Sequence, residues 1–232
     1  MSAPFKLIIA GSLFVSGLTG VDAIEASSNS ELIQISDDIR ACTACGDGIY
    51  VAVYRTNILT SQDKIHWTPQ ESASVSALFG IAFGAGKFVA VGNEGLVMTS
   101  PDGQNWQIED SSTDERLRGV SYGNGMFVAV GYSGTIITSR DGRAWIRRIS
   151  GTGTRLQSVV YANGYFLTVG WKGTVLTSRN AANWRRHALG IKEDLVRVSC
   201  SDDGRFLAAK RVSDKNVAWT SLKLELRQTA LK

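Results

Sequence analysis

The side chains with the clearest chemical potential recur in one short motif. A Ser is followed two residues later by Asp or Asn and six residues later by Trp, and the serines stand at 61, 100, 139 and 178, each 39 residues after the last. The aspartates of these motifs could be mistaken for catalytic residues. The residues suit a turn better, because Asp accepts backbone N–H groups, Gly permits positive φ and Ser caps an amide, while Trp fills space between units. We therefore predict a structural role for Ser61, Asp63, Trp67, Ser100, Asp102, Gly103, Trp106, Ser139, Asp141, Gly142, Trp145, Ser178, Asn180 and Trp184.

Other reactive side chains form no recognisable site. His66 and His187 have no second ligand at metal-binding spacing. Cys42-x-x-Cys45 has the spacing of a redox motif, but it lies on a predicted strand and not at the start of a helix. The chain has no phosphate-binding loop and no serine nucleophile elbow. The sequence therefore predicts no catalytic residue, no metal site and no cofactor, and it favours a binding protein over an enzyme.

The elements around the motif repeat with the same period. In the third unit a strand pattern (Leu117–Tyr122) is followed by a Gly turn, an apolar run (Met126–Val130), a Gly-x-x-Gly turn (Gly131–Gly134), a β-branched strand and a fourth strand (Trp145–Arg148). Four short strands in about 40 residues are typical of one blade of a β-propeller. We predict an all-β chain, residues 24–232, folded as a five-bladed propeller of four-stranded blades near 37–70, 78–109, 117–149, 156–188 and 195–228.

The fifth unit is irregular and bears on how the ring closes. Its fourth strand could come from the tail, Lys223–Gln228, or from the N-terminal segment Glu31–Ser36, which alternates apolar and polar residues; we expect the N-terminal segment. Cys42 and Cys200 lie on the first strands of units one and five, which are neighbours only in a closed ring. A Cys42–Cys200 disulfide is the expected pairing, with Cys45–Cys200 and three buried thiols as alternatives.

The N-terminus resembles a secretory signal peptide. Lys6 precedes an apolar stretch, Leu7–Leu18, and Val21-Asp22-Ala23 resembles a small-x-small cleavage site. The apolar run is short for a transmembrane span, which needs about 20 residues. We predict that residues 1–23 are removed and that the mature chain is periplasmic or secreted, and not an integral membrane protein.

Charge is divided unevenly along the chain. Residues 24–115 hold 4 Lys/Arg and 13 Asp/Glu, whereas residues 116–187 hold 11 Lys/Arg and a single acid, Asp141. In a ring, blades one and two would be acidic and blades three and four basic, an asymmetry that can orient a partner. Arginine pairs in the equivalent fourth strands of blades three and four predict a basic edge patch of Arg147, Arg148, Arg185 and Arg186.

Aromatic residues stand at the tips of the Gly-x-x-Gly turns, at Tyr132 and Trp171, with Tyr54 in the equivalent place. Exposed aromatic side chains suit binding, and several arginines enter the first strands on the same face. The predicted partner face comprises Tyr54, Arg55, Arg116, Arg118, Tyr132, Arg155, Trp171 and Lys172. Its expected partner is a protein with an acidic surface; an acidic glycan or anionic lipid headgroups are alternatives, and nucleic acid is not expected for an exported chain.

The Ser-x-Asp-Gly-x-x-Trp repeats resemble the Asp-box repeats of sialidases. Joined to Phe-x-Ala-Val-Gly-x-x-Gly-Thr-Ile, as at Phe127–Ile136, they resemble more closely the repeats of photosystem II stability/assembly factors. The resemblance covers about residues 40–222. It implies a propeller that helps to assemble membrane complexes, although five units depart from the seven blades of that family. Resemblance to sialidases implies the alternative, a glycan-binding or glycoside-hydrolysing propeller.

Overall fold

The computed structural model describes residues 7–8, 33–34, 42–213 and 216–224. Two short strands, β1 (Leu7–Ile8) and β2 (Ile33–Gln34), pair in parallel and form a sheet of their own. All other strands lie in five antiparallel meanders of consecutive strands, so the predicted all-β, five-bladed propeller is confirmed. The rest of the predicted signal peptide, 1–23, lies outside the described residues. Within the described ranges, no helix has the length and apolarity needed to cross a membrane.

The strands of each blade follow one another in space as they do in sequence. Blade 1 contains β3 (Cys42–Gly46), β4 (Ile49–Tyr54), β5 (Asn57–Ser61) and β6 (Thr68–Gln70). Blade 2 contains β7 (Leu78–Gly84), β8 (Lys87–Gly92), β9 (Val97–Ser100) and β10 (Gln107–Glu109). Blade 3 contains β11 (Leu117–Gly123), β12 (Met126–Gly131), a 3-10 turn (Tyr132–Gly134), β13 (Ile136–Ser139) and β14 (Ile146–Arg148). Blade 4 contains β15 (Leu156–Ala162), β16 (Tyr165–Gly170), β17 (Thr174–Ser178) and β18 (Arg185–Arg186), and blade 5 contains β19 (Leu195–Cys200), β20 (Phe206–Arg211) and β21 (Val217–Ser221).

The core lies between the blades, which explains why the second strands are apolar on both faces. Phe127 and Ala129 of β12 pack in a cluster with blade 2, whereas Val128 and Val130 of the same strand pack in a cluster with blade 4. Because successive strand residues point to opposite faces, one continuous apolar run supplies both interfaces. The same arrangement is repeated on either side of β8 and β16.

Close packing between blades depends on glycine at one position. A Cβ added to Gly84 would lie 2.1 Å from Cγ of Tyr122 in the next blade, and one added to Gly123 would lie 2.1 Å from Cγ of Tyr161. Each aromatic ring therefore occupies the space that a side chain on the preceding blade would need. This contact between a glycine and the aromatic ring of the next blade recurs every 39 residues, and it lets consecutive blades approach each other closely.

Blade 5 differs from the expected pattern. Its sheet has three strands in the described part of the chain, and β2 pairs with β1 instead of completing it. The remainder of the expected closing segment, 31–36, and residues 225–228 of the alternative tail strand lie outside the described residues. In blades 1 to 4 a Thr precedes the Ser of the motif, and Thr220-Ser221 of blade 5 resembles this pair. In blade 4, Ser178 is paired with Phe166, whereas in blade 5 the N–H of Leu222 donates to the carbonyl of the equivalent Phe206. Thr220-Ser221 therefore lies one residue out of register with Thr177-Ser178.

The open side of blade 5 exposes apolar residues. Trp219 stands in β21 opposite Ala209, where blade 4 has the buried Val175 opposite Val169. Val175 is covered by blade 5, whereas Trp219 is 49% exposed. Among the described residues, strands of blades 5 and 1 do not pack against each other to the extent seen between the other neighbouring blades.

The expected Cys42–Cys200 disulfide is wrong, as is the Cys45–Cys200 alternative, because none of the three cysteines is disulfide-bonded. The alternative of three buried thiols is wrong as well, since Cys45 is exposed and the other two are half-buried. The thiol of Cys42 donates to the carbonyl of Phe79 in blade 2 at 3.0 Å. The Sγ atom of Cys200 lies 3.8 Å from Nδ2 of Asn163 in blade 4. Cys42 faces the following blade and Cys200 the preceding one, so the two side chains point away from the junction that a disulfide would close.

Candidate functional site

The Ser-Asp-Trp turns are occupied by their own hydrogen bonds. In blade 3, Ser139 Oγ donates to Asp141 Oδ1 at 3.0 Å and accepts the Gly142 N–H at 2.8 Å, while Trp145 Nε1 donates to the Gly142 carbonyl. Blades 1 and 2 repeat this pattern. In blade 4, Asn180 takes the place of Asp and accepts from Ser178 Oγ, and Trp184 Nε1 donates to the Ala181 carbonyl. The backbone N–H groups of Arg143 and Ala144 donate to Asp141 and lower the pKa of its carboxyl to about 2.

The other two carboxylates of these turns behave alike. A hydrogen bond with His66 holds the pKa of Asp63 well below its usual value, and the Asn105 N–H does the same for Asp102. A carboxylate stabilised in its charged form by several donors is a poor proton acceptor at neutral pH. The geometry therefore agrees with a structural role for these motifs.

The turn-tip residues of the predicted partner face form a different kind of arrangement. Five guanidinium–ring contacts join residues of blades 2, 3 and 4 into one continuous group, the Arg–aromatic ladder. The ladder consists of Phe79, Arg116, Arg118, Tyr132, Arg155 and Trp171.

Arg155 occupies the middle of the ladder. Its Cζ lies 4.2 Å from the ring centroid of Tyr132 in blade 3 and 4.1 Å from that of Trp171 in its own blade. Arg116 repeats the arrangement one blade earlier, with Cζ 5.0 Å from the Tyr132 ring and 5.6 Å from the Phe79 ring. Each arginine thus bridges an aromatic side chain of its own blade and one of the preceding blade.

Backbone hydrogen bonds set these positions. The Tyr132 N–H donates to the Arg116 carbonyl and the Trp171 N–H to the Arg155 carbonyl, both at 2.9 Å, so each turn tip lies beside the residue that enters its blade. The turn itself needs glycine at its end: Gly134 has φ +67°, and a Cβ there would lie 1.8 Å from the Thr152 carbonyl oxygen. The Gly-x-x-Gly motif therefore places the aromatic rings.

The ladder can bind carboxylates. A guanidinium whose planar faces lie against rings still presents N–H groups along its edge, and that edge matches a carboxylate in two-point contact. The surrounding segment, 116–187, carries 11 Lys/Arg and one acid, so the positive potential of the ladder is reinforced by its blades.

Three residues of the predicted partner face lie outside the ladder. Tyr54 and Arg55 contact each other in blade 1, with Cζ of Arg55 5.4 Å from the ring centroid. Lys172 is exposed at the tip beside Trp171, and its backbone N–H donates to Asp194. The structure thus brings five of the eight predicted residues together and adds Phe79.

Residues at the start of the first strand of each blade surround a cavity of about 150 Å³ beside the ladder. In blades 2 to 5 the register shifts by one residue at the start of the first strand, and the extra residue at each shift lines the cavity. A bulge of this kind re-aims a side chain. The extra residues are Phe79, Arg118, Gln157 and Val196.

Sequence reasoning missed Phe79, Gln157 and Arg197 of this cavity. Arg197 stands at a position that holds Cys42, Gly80, Gly119 or Ser158 in the other blades. Aligning the repeats would have singled out Arg197, because it is the charged residue at a position where the other blades have small ones. The bulge that carries Phe79 and Gln157 leaves no such signal, because it occurs in blades 2 to 5 alike and so does not change the 39-residue period.

The predicted basic edge patch is partly used within its blades. Arg148 Nε donates to Thr138 Oγ1 at 2.9 Å, and equivalent pairs join Gln70 to Thr60, Thr99 to Glu109 and His187 to Thr177. Arg147, Arg185 and Arg186 are exposed.

The two histidines have local partners. Burial, followed by the nearby charge of Arg185, lowers the pKa of His187. His66 Nδ1 lies 2.6 Å from Asp63 Oδ2 beside an open polar pocket of about 420 Å³. In the described part of the chain, no three His, Cys, Asp or Glu side chains cluster as metal ligands.

Comparison with known proteins gives the fold. No protein-family model matches the sequence, and no curated protein matches it. A structure of YCF48 bound to D1 peptide is similar with a TM-score of 0.58 and 16% identity, over 79% of this chain and 68% of that one. YCF48 from Cyanidioschyzon merolae is similar with a TM-score of 0.51 and 20% identity, over 65% and 57%. The WD40 β-propeller domain of Doa1 has a TM-score of 0.61 and 12% identity, over 79% and 63%. The chain thus spans between 57% and 68% of the length of these proteins, and its likeness to them is that of a β-propeller.

Proposed function

We propose that this chain is a non-catalytic binding scaffold, of the kind that assembly factors provide, and that it holds an acidic segment of a partner protein against the Arg–aromatic ladder. The observation that carries the proposal is the ladder itself. Arg155 is held between Tyr132 and Trp171, with both distances near 4 Å. Stacking fixes the guanidinium before any ligand arrives, so less side-chain freedom is lost on binding.

Two further observations support a protein partner. One similar propeller, YCF48, has been seen bound to D1 peptide. The ladder also crosses three blades, which suits an extended chain better than a compact small molecule. The Ser-Asp-Trp turns support the resemblance to Asp-box repeats of the assembly-factor type.

The proposal includes export. The motif at 1–23 supports cleavage after Ala23, which would place the mature chain in a periplasm or outside the cell. Intact mass measurement of the protein isolated from its native host should give a chain that begins at Ile24. A chain that retains Met1 and fractionates with the cytosol would contradict export.

Fluorescence anisotropy with a labelled 12-residue peptide tests the binding proposal. The peptide carries four Glu separated by Gly and Ser, is blocked at both ends, and is compared with its Gln counterpart. We expect the Glu peptide alone to bind, more weakly as ionic strength rises. Arg155→Met should raise its Kd about tenfold or more, since hydrogen bonds to charged groups contribute about 1.5–3 kcal/mol.

Arg140→Gln is the matched control. Arg140 is exposed in the Ser-Asp-Trp turn at the opposite end of blade 3, and the change removes the same charge. It should leave the Kd within about twofold. Equal affinity of wild type and Arg155→Met for the Glu peptide would contradict the proposal, as would binding of sialyllactose or of phosphatidylglycerol vesicles without binding of the peptide.

A further inference from the structure

The cavity beside the ladder combines an apolar wall with hydrogen-bond donors. Phe79, Ile81 and Val159 contribute apolar surface, whereas Arg118, Gln157 and Arg197 contribute polar groups. None of its lining residues is acidic. At about 30 Å³ for each water in the liquid, a cavity of about 150 Å³ has room for one short acidic side chain or a chain end.

Gln157 is the most informative of these residues because it is buried and its amide oxygen already accepts a hydrogen bond from a cavity arginine. Arg118 Nε donates to Gln157 Oε1 at 3.2 Å. A guanidinium has donors and no acceptor, so this contact fixes which end of the amide is oxygen. The Nε2 group is therefore the donor end of the Gln157 amide.

Arg197 places a charged side chain at a strand position that holds a small residue in the other four blades. A Cβ on Gly80 would lie 3.1 Å from the backbone of Gly119, and one on Gly119 would lie 3.3 Å from the backbone of Ser158, so this position must be small wherever another blade follows. Among the described residues, blade 1 does not pack against blade 5 in the way that the other neighbouring blades pack, and the residue of blade 5 at this position is an exposed arginine. Arg197 lines the cavity together with residues of the other blades.

Arg118 completes the set. Its Cζ lies 4.4 Å from the ring centroid of Phe79, which holds the guanidinium plane against the cavity wall. Arg118 also belongs to the ladder, so the cavity opens directly beside the proposed path of the bound segment.

We propose that this cavity is a carboxylate pocket, in which Arg197, Arg118 and the Gln157 amide hold one carboxylate of the segment that lies on the ladder. The pocket rests on the proposed function for its peptide ligand. It sets the specificity of that binding, because the pocket fixes the position of one acid relative to the ladder. The carboxylate comes either from a Glu or Asp side chain or from the C-terminus of the partner.

Four peptides distinguish these sources. All four peptides carry the same two central Glu residues, which bind the ladder. Their C-terminus is either free or amidated, and the second residue from the C-terminus is either Glu or Gln, which gives four combinations. On the wild type, the amidated Gln peptide should bind about tenfold more weakly than the best of the others, on the basis of one lost hydrogen-bonded charge. If the amidated Glu peptide binds tightly, the carboxylate comes from a side chain. If the Gln peptide with a free C-terminus binds tightly, it comes from the chain end.

Two variants test the residues. Arg197→Gln removes the charge at an exposed position, and Gln157→Glu keeps the shape and the acceptor for Arg118 while placing a negative charge among the donors. For both variants, the Kd values of all four peptides should lie within about twofold of the Kd of the wild type for the amidated Gln peptide. Arg140→Gln should keep the wild-type preference.

Each outcome decides the proposal. Equal binding of all four peptides by the wild type, or an unchanged preference in Arg197→Gln and Gln157→Glu, would overturn the pocket. If Arg155→Met weakens every peptide while Arg197→Gln changes none, the ladder stands and the pocket fails. If no peptide binds, glutarate still tests the pocket: it should raise the Tm of the wild type and not that of Arg197→Gln, and no shift in either would overturn it.

Discussion

Replacing Arg155 with Met removes the charge from the middle of the ladder while it keeps an unbranched apolar stem. The wild-type guanidinium contacts the rings of Tyr132 and Trp171 at 4.2 and 4.1 Å. A cation–π contact at a partly exposed site contributes about 0.5–1 kcal/mol, so the two together contribute about 1–2 kcal/mol. A chain of this length loses about 2–4 °C of Tm for each kcal/mol, and the variant should therefore unfold about 2–8 °C lower.

A double-mutant cycle separates this contact from general effects of substitution. Arg155→Met, Trp171→Leu and the double variant are unfolded with urea at constant ionic strength. The two sites should couple by about 0.5–1 kcal/mol, because each single change removes the same contact. Arg140→Gln combined with Trp171→Leu should be additive. Additivity of Arg155→Met and Trp171→Leu within about 0.3 kcal/mol would refute the ladder as a stabilised arrangement.

The remaining predictions concern the frame that holds the site. Gly84→Ala should cost about 1–3 kcal/mol, since its Cβ would lie 2.1 Å from Tyr122, whereas Gly153→Ala, with no atom within 4 Å, should stay within about 0.5 kcal/mol in the same thermal melts; equal Tm values would contradict this packing. Asp141 has a pKa of about 2 in the folded chain and 3.8 ordinarily, so its stabilisation is present above pH 4 and is lost as the pH falls towards 2. Asp141→Asn should therefore be less stable than wild type at pH 7 and equal to it at pH 2, and a difference that does not change with pH would contradict the assignment. Thiol titration of the denatured, unreduced protein should find three free thiols per chain, and one free thiol would restore a disulfide.

The regular part of the fold follows from the sequence because one spacing repeats. Each 39-residue step carries the Gly, ring and turn that a blade needs, so five blades and their order could be predicted. The register of the last described strand of blade 5 could not, because Thr220-Ser221 looks like the Thr-Ser pair of the other blades, while the hydrogen bond from Leu222 to Phe206 shifts it by one residue. Sequence similarity between two short segments does not reveal which strand residues face each other.

Only the part of the site that lies in the repeated turns could be predicted from the sequence. Tyr132 and Trp171 stand at turn tips, whose location follows from the Gly-x-x-Gly motif. Gln157 could not be foreseen as a cavity residue, since its orientation depends on a bulge. The disulfide prediction failed on the same kind of detail: Cys42 and Cys200 belong to neighbouring blades of the ring, but the alternation of each strand turns their side chains to opposite sides.

Hydrogen–deuterium exchange with and without the four-Glu peptide tests the central claim most directly. The backbone amides of the turns at Tyr132–Gly134 and 171–173, and of the loops that enter β11 and β15, should exchange more slowly in the presence of the peptide, while the Ser-Asp-Trp turns at the opposite end should not change. Protection confined to the Ser-Asp-Trp turns, or to the outer strands that carry Arg147 and Arg185, would contradict the account.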